Sequence, residues 1–299
     1  MAKTRRNRKK KNSKTAIYAI IIAIVAAISL IVGMKTVKKD PEIEGMAVHY
    51  IDVGQGDAIL LQAPTGENML IDAGPGASEE KLLSYLDEAD VETVDYFVLT
   101  HPDEDHIGGA DRVFEACTVS TVIMPECERD TKVYQKLIDS IENEEGCEQI
   151  EPIYGDVYLV AEGMTVTVLS PLMEEYDDVN DYSIVLRVDY YETSFLFTGD
   201  AGTEVEEQML DYWEEEKLDC DVLKVGHHGS RTSSSKAFLE AVTPEYAVIS
   251  SGEGNKYGHP HAEIVARLEK DCPYVYRTDE LGSVVLTSDG ETIAFVSGT

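Results

Sequence analysis

The stretch Thr100-His-Pro-Asp-Glu-Asp-His-Ile-Gly-Gly109 puts His101, Asp103, Asp105 and His106 within six residues. Imidazole and carboxylate donors mixed in this way suit divalent cations. The stretch follows an apolar run that reads as a strand and precedes one that reads as a helix, so a short loop can aim several side chains into one pocket. Gly108 and Gly109 let the backbone turn into that helix without steric penalty. A chance acidic loop with two histidines is the bland alternative. Three further apolar runs end in similar residues: Phe197-Thr-Gly-Asp200 after SFLF, Val225-Gly-His-His-Gly-Ser230 after DVLK, and Tyr257-Gly-His-Pro-His261 after YAVIS. One His pair alone is more often a surface or core feature, but four such clusters at strand ends make a strong metal-type signal. The five cysteines, Cys117, Cys127, Cys147, Cys220 and Cys272, form no CxxC pair and read as small buried hydrophobes, with one or two disulfides as the alternative.

Alternating apolar runs must carry these loops. AVHYIDV (47–53), AILLQAP (58–64) and ENMLIDAG (67–74) read as successive strands, with PTGE as a hairpin connection. SEEKLLSYLDEA (78–89) is helix-like, with Ser78 as a cap. VDYFVLT (94–100) is a buried strand that ends at His101. Helices are expected at 107–116, 130–142, 203–216 and 235–242, and over AEIVARLEK. Strands fall at 120–124, near 156–169, in the pair SIVLRVDY and TSFLFTGD, at 220–226, in YAVISSG and at the end of the chain. Strands with helices between them in each half fit a layered α/β sandwich, with a doubly wound sheet as the rival.

The motifs HYIDVGQGDAILLQ, NMLIDAG, VLTHPDEDHIGG, FLFTGD, LKVGHHGS and GHPH occur in an order that resembles the metallo-β-lactamase superfamily, specifically its ComEC/Rec2-like branch. The resemblance spans essentially residues 46–299 and implies a four-layer αββα sandwich with a metal site at one edge, between two sheets. The family's usual first motif is His-x-His-x-Asp-His, and here Asp103 replaces its second His. The resemblance implies His101 and Asp103 as ligands of one metal, Asp105 and His106 as ligands of the second, and Asp200 as the bridge. His259 fits the late His ligand, with His227 competing for that assignment. The usual third His is missing; Asn180-Asp-Tyr-Ser183 stands in its region. Two divalent ions are implied, Zn²⁺ or Mn²⁺, with the oxygen-rich donor set shifting preference toward Mn²⁺.

Two such ions held about 3.5–4 Å apart can deprotonate a water between them, and the resulting hydroxide attacks phosphorus or a carbonyl in line with the leaving group. Asp105 is then a ligand that also orients the nucleophile. His227 or His228 would protonate the leaving oxygen or bind phosphate, with Ser230 and Arg231 nearby, although tandem histidines after a strand also simply cap or pack. Asp52-Val-Gly-Gln-Gly-Asp57 is not a dinucleotide fingerprint, since a strand follows it. Its glycines are expected to form a tight turn beneath the metal loop. Asp52, Gln55 and Asp57, with Asp72, Asn180 and Ser183, are expected in supporting positions around the ligands. His49 reads as a strand residue, Trp213 as core or interface, and Glu204 to Glu216 as a solvated helix face.

Charge separates the chain into unlike parts. The 299 residues carry 25 Lys and Arg against 57 Asp and Glu, a formal charge of −32. Residues 1–39 hold 11 of the cations and no acid, which leaves residues 40–299 at −43. Residues 16–34 run without a charge for 19 residues, long enough to cross a bilayer of roughly 30 Å. Eight cations precede the run. The expected organisation is a basic cytoplasmic tail (1–15), an uncleaved signal anchor (16–34), a linker (35–45) and a hydrolase domain (46–299) facing outward from the cell membrane. One such segment does not make the multi-helix uptake channel of the branch's larger members. The leading functional expectation is a metal-dependent phosphodiesterase or nuclease, with DNA as one candidate substrate. Smaller or cell-envelope phosphodiesters, or a non-catalytic binding protein that keeps the fold, are the alternatives. The strong negative charge disfavours stable binding to long nucleic acid, and Arg112, Arg129, Lys132, Lys224 and Arg231 are too scattered in sequence to mark a basic groove.

Overall fold

The computed structural model describes residues 45–298. Six strands run through the first half: β1 (Met46–Tyr50), β2 (Ile59–Gln62), β3 (Asn68–Ile71), β4 (Thr93–Val98), β5 (Thr118–Ile123) and β6 (Glu148–Ile150). Seven follow: β7 (Val157–Ala161), β8 (Met164–Ser170), β9 (Val185–Tyr190), β10 (Thr193–Phe197), β11 (Val222–Lys224), β12 (Tyr246–Ile249) and β13 (Tyr274–Arg277). The chain then returns through β14 (Val284–Ser288) and β15 (Ile293–Gly298) to close the first sheet. The two sheets are ordered β15-β14-β1-β2-β3-β4-β5-β6 and β13-β12-β11-β10-β9-β8-β7. Two separate sheets exclude the doubly wound alternative.

Both sheets change from antiparallel to parallel pairing. Antiparallel strands close through short turns, whereas parallel strands need crossovers. The crossovers are helical: α1 (Glu79–Glu88), α2 (Glu104–Ile107), α3 (Ala110–Ala116) and α4 (Lys132–Asn143) serve the first sheet. The second uses α5 (Thr203–Tyr212), α6 (Lys236–Val242) and α7 (Ala262–Asp271). Strand periodicity sorts the apolar residues into layers. Met46, Val48 and Tyr50 of β1 meet Val166, Val188, Phe195 and Phe197 between the sheets. Leu60, Leu70 and Phe97 face outward onto Leu82, Leu86 and Leu137. On the far side Leu196 and Leu223 pack with Val205, Met209, Phe238 and Ile264. This is the expected αββα order.

Register brings the motif loops to one end. Ile71 of β3 stands beside Val98 of β4, so Asp72 and Thr100 emerge as neighbours. Phe197 of β10 stands beside Lys224 of β11, so the loops carrying Asp200 and His227 leave side by side. Carboxyl ends of parallel strands are the usual place for a site in such sheets.

Some local expectations change. Ser78 does not cap α1; its hydroxyl donates to Val53 O at 2.6 Å. All five cysteines are free thiols. The expected tail and anchor, and the linker up to residue 44, lie outside the described residues. Among the described residues no helix is long and apolar enough to cross a membrane. The single-pass placement with an outward-facing domain is therefore withdrawn, because the run on which it rested is not among them.

Glu206 of α5 is buried and accepts backbone N–H groups from Ser234 and Ser235, which ties α5 to the loop before α6. Burial raises its carboxyl to about 7, against the pull of those hydrogen bonds. A carboxyl raised on folding stabilises fully below its ordinary value near 4.5 and loses that contribution as pH rises through about 7. Urea unfolding in the presence of chelator is expected to show wild type losing stability relative to Glu206→Gln from pH 5 to 8. Parallel pH profiles would remove this assignment.

Candidate metal centre

β4 delivers the first loop. His101 follows the buried pair Leu99 and Thr100, and the single turn of α2 presents His106 inward, fully buried. Gly108 and Gly109 are not needed for positive φ: their angles are −60° and −94°. They are needed for close approach, since a Cβ on Gly108 would lie 2.3 Å from Gly76 N and one on Gly109 would lie 2.6 Å from Ala73 O. Gly56, with φ of +147°, packs under the same loop, where a Cβ would lie 2.3 Å from Asp105 O. The tight turn expected over residues 52–57 is thus wedged against the metal-type loop, and Asp57 N donates to Asp105 O at 3.2 Å.

The tandem histidines after β11 occupy consecutive left-handed backbone positions, φ 46° at His227 and 54° at His228. Each costs about 1–2 kcal/mol for a non-glycine residue. The turn is held by His227 N donating to Gly199 O at 3.0 Å and by Ser233 Oγ donating to Gly226 O at 2.8 Å. This geometry directs His228 inward, 1% exposed, and leaves His227 at the rim with a side chain 22% exposed.

Three imidazoles present the same edge to one centre. His106 Nδ1 donates to Asp72 Oδ2 at 2.7 Å. Thr100 Oγ1 spends its proton on Asp72 Oδ2 at 2.7 Å, so it is free to accept from His101 Nδ1 at 3.2 Å. His228 Nδ1 faces two acceptors, Ser250 O at 3.1 Å and Asp57 Oδ1 at 3.3 Å. In each ring the acceptors around Nδ1 fix the proton there and turn Nε2 toward the others. His101 Nε2, His106 Nε2, His228 Nε2 and Asp200 Oδ1 are all buried without a hydrogen bond. Yet Asp200 Oδ1 is 3.2 Å from His106 Nε2, and Asp200 Oδ2 is 3.5 Å from His228 Nε2. Asp105 Oδ2 lies 3.4 Å from the same His228 nitrogen. Donor atoms within 4.8 Å of one another form the groups His101–His106–Asp200, Asp105–His106–His228, Asp57–Asp200–His228 and Asp57–Asp72–His106. Orphaned lone pairs converging in this way fit divalent cations.

The electrostatics agree. Burial opposes charge on His106 and His228, but Asp200 leads the acceptors that overcome it. His106 is driven well above its ordinary range and His228 to about 9. His101, buried and beside His106, is lowered to about 3. Burial likewise opposes ionisation of Asp200, yet His228 and His106 hold it well below the usual carboxylate range. Without a cation, protons on two imidazoles would have to neutralise the carboxylates. A cation neutralises the same oxygens and leaves the rings neutral.

A family model described as the metallo-beta-lactamase superfamily matches residues 51–253. The chain belongs to the metallo-beta-lactamase superfamily. ComE operon protein 3 of Bacillus subtilis (strain 168) is 32% identical over 258 residues, 79% of this chain and 32% of that protein. Competence protein ComA of Neisseria gonorrhoeae is 32% identical over 261 residues, 86% of this chain and 35% of that protein. The chain falls in the superfamily's ComEC-like branch and spans about a third of the length of these relatives. Among solved structures, YhfI of Bacillus subtilis, a metallo-beta-lactamase fold protein, is 13% identical with a TM-score of 0.52. That alignment covers 84% of this chain and 99% of YhfI.

Against the pattern expected for the superfamily, the structure gathers His101, Asp105, His106 and Asp200 and adds His228 and Asp57. Asp103 stands apart from these groups and pairs instead with Arg129 Nη2 at 3.5 Å. His259, expected as the late ligand, is also outside them; its Nδ1 lies 3.4 Å from Gln55 Nε2, and its ring centroid is 6.2 Å from that of His228. His227 Nε2 comes within 3.5 Å of Asp200 Oδ2, but no group includes it. The left-handed turn, which sequence does not display, decides that His228 is the converging ring.

The supporting residues divide similarly. Ser183 Oγ accepts from Asp200 N at 3.0 Å and lies 3.4 Å from His101 Nδ1. Asn180 shapes only the turn, its carbonyl accepting from Ser183 N at 3.0 Å. Ser230 Oγ accepts from Thr232 Oγ1 at 3.0 Å, and Thr232 Oγ1 in turn meets His227 Nδ1 at 3.0 Å. Asp52 is displaced to the surface, where Lys81 pairs with it. Lys224 was read only as one scattered cation; the structure buries it completely against Asp57. A lysine inside the apolar run DVLKVG, three residues ahead of the first of the tandem histidines, is the signal by which sequence could have found it. A cleft of about 730 Å³, lined by Gln55, Asp103, Asp105, Arg129, Lys256 and Tyr257 among others, opens beside the centre.

Asp72→Ala frees the His106 ring and is expected to weaken Mn²⁺ or Zn²⁺ binding by about 10–100-fold, measured by calorimetric titration. Undiminished affinity would show that Asp72 does not orient His106.

Proposed function

We propose that this chain is a metal-dependent hydrolase of phosphodiesters. The observation that supports it best is the convergence of three imidazole Nε2 atoms with the carboxylates of Asp105 and Asp200, every Nδ1 being committed elsewhere. His101, His106, His228, Asp105 and Asp200 would hold two divalent ions, Zn²⁺ or Mn²⁺. Such ions supply Lewis acidity toward a phosphoryl oxygen and an activated water.

The protein's own groups complete the chemistry. Asp105 keeps a side chain 28% exposed toward the cleft, where it would orient the attacking water. His227, beside Asp200 and open at the rim, would donate a proton to the leaving oxygen, with Thr232 holding its other nitrogen. Arg129 and Lys256 line the cleft and would face phosphate oxygens of the substrate.

The charge pattern favours small or short phosphodiesters over long polyanions. Arg112 pairs with Glu115 and lies near Glu79 and Glu80, Arg231 pairs with Glu263, and Lys224 is buried. Two cations in the cleft do not offset a body at −43. DNA stays a candidate substrate, and one relative is named a competence protein, but this chain spans only about a third of that protein.

Two measurements test this reading. Asp105→Ala is expected to lower Mn²⁺- or Zn²⁺-dependent hydrolysis of bis-p-nitrophenyl phosphate by at least about 100-fold. Unchanged turnover removes Asp105 from the mechanism, and no turnover by wild type on any phosphodiester with either ion sinks the proposal. Raising salt from 50 to 200 mM is expected to increase kcat/KM on single-stranded DNA relative to the small substrate, because it screens repulsion. A basic-groove nuclease would respond in the opposite sense.

A further inference from the structure

Lys224 ends β11 and is 0% exposed. Its Nζ lies 2.6 Å from Asp57 Oδ2 and donates to Val225 O at 3.1 Å. Asp57 is itself 1% exposed, and its other oxygen lies 3.3 Å from His228 Nδ1. Burying an ammonium and a carboxylate together is seldom a route to stability, since apolar residues of similar volume commonly serve as well or better. The pair therefore calls for another reason, and its position supplies one. An ammonium has no lone pair, so Lys224 cannot be a ligand. Asp57 can: it shares a group of close donor atoms with Asp200 and His228.

We propose that Lys224 is a positioning residue of the metal centre, which engages Asp57 Oδ2 so that Oδ1 is held beside His228 Nδ1, 3.3 Å away, where its charge keeps the ring's proton on Nδ1 and commits His228 Nε2 to the cation. Two consequences follow from the contacts. With one oxygen tied to an ammonium, Asp57 is a poorer competitor for the cation and its second oxygen stays beside the imidazole. With Ser250 O as the hydrogen-bond partner of Nδ1 at 3.1 Å, the His228 ring has one orientation and one tautomer. Two residues from strand ends far apart in sequence thus set the direction of a side chain whose own backbone is strained. The chain Lys224–Asp57–His228 parallels Thr100–Asp72–His106 on the other sheet, with a buried cation in place of a hydroxyl.

This inference rests on the metal-centre reading above, and the test separates the two. Full-length wild type, Lys224→Met and the charge-neutral double variant Lys224→Met/Asp57→Asn are titrated calorimetrically with Mn²⁺ alone and with Zn²⁺ alone. The double variant leaves no unpaired buried charge, so it is expected to recover the thermal stability lost by Lys224→Met while still binding metal at least about 10-fold more weakly than wild type. A folded variant that binds metal within two-fold of wild type overturns the role of Lys224. Should neither variant fold, the decision passes to ¹⁵N NMR of the histidine rings in the metal-free wild type. His228 protonated at Nδ1 is expected, and a neutral ring carrying its proton on Nε2 overturns the proposal. A wild-type chain that takes up neither ion removes the metal centre itself, a result distinct from equal binding by wild type and variant.

Discussion

Three carboxylates buried at the strand ends, Asp57, Asp72 and Asp200, constrain everything around them. A carboxylate taken out of water must find a proton, a hydrogen-bond shell or a cation. Asp72 is satisfied within the protein by Thr100 and His106, and one oxygen of Asp57 by Lys224, its other oxygen lying 3.3 Å from His228 Nδ1 without a hydrogen bond. Asp200 pairs with no lysine or arginine among the described residues. One of its oxygens is buried without a hydrogen bond, although imidazole nitrogens surround it. That remaining negative potential, at a point where three Nε2 lone pairs also lack partners, is the physical demand that divalent cations answer.

The architecture exists to bring these groups together from distant parts of the chain. Each sheet contributes parallel strands whose carboxyl ends face the same edge, and their in-phase register delivers Asp72 beside Thr100 and Asp200 beside His227. Glycine permits the final approach. Gly56 and Gly108 stand where any Cβ would collide with backbone, so the turn before β2 and the metal-type loop meet at closer than ordinary packing distance. The centre is therefore assembled on rigid elements, with apolar layers above and below each sheet.

Much of this was legible beforehand, for physical reasons. Buried strands show as apolar runs, and a metal-type residue directly after such a run must emerge at a sheet edge; His101, Asp105, His106 and Asp200 were readable in that way. The layered sandwich was readable from alternation along β1 and β10, where one face meets the opposing sheet and the other meets helices. Asp103 and His259 stand outside the close donor groups, since spacing says which residues share a loop and not which of their side chains turn inward. Arg129 draws Asp103 outward, and Gln55 engages His259. Lys224 escaped notice because a lysine in an apolar run usually extends its ammonium to solvent. Here a carboxylate from another strand meets it in the interior.

The amino-acid order settled the donor chemistry, the strand-end placement of the loops and the layering of the domain, since periodicity and residue type are local properties. It also settled the division between a basic N-terminal segment and a strongly acidic body. The folded chain alone decided that His228 is the inward imidazole, that acceptors stand against Nδ1 of His106 and His228, and that Lys224 and Asp57 stand behind the second of these. Those outcomes depend on two left-handed backbone angles and on contacts between residues more than 160 positions apart, such as Asp57 with Lys224. Neither leaves a mark on local spacing, because the partner that fixes each side chain is supplied by a different strand.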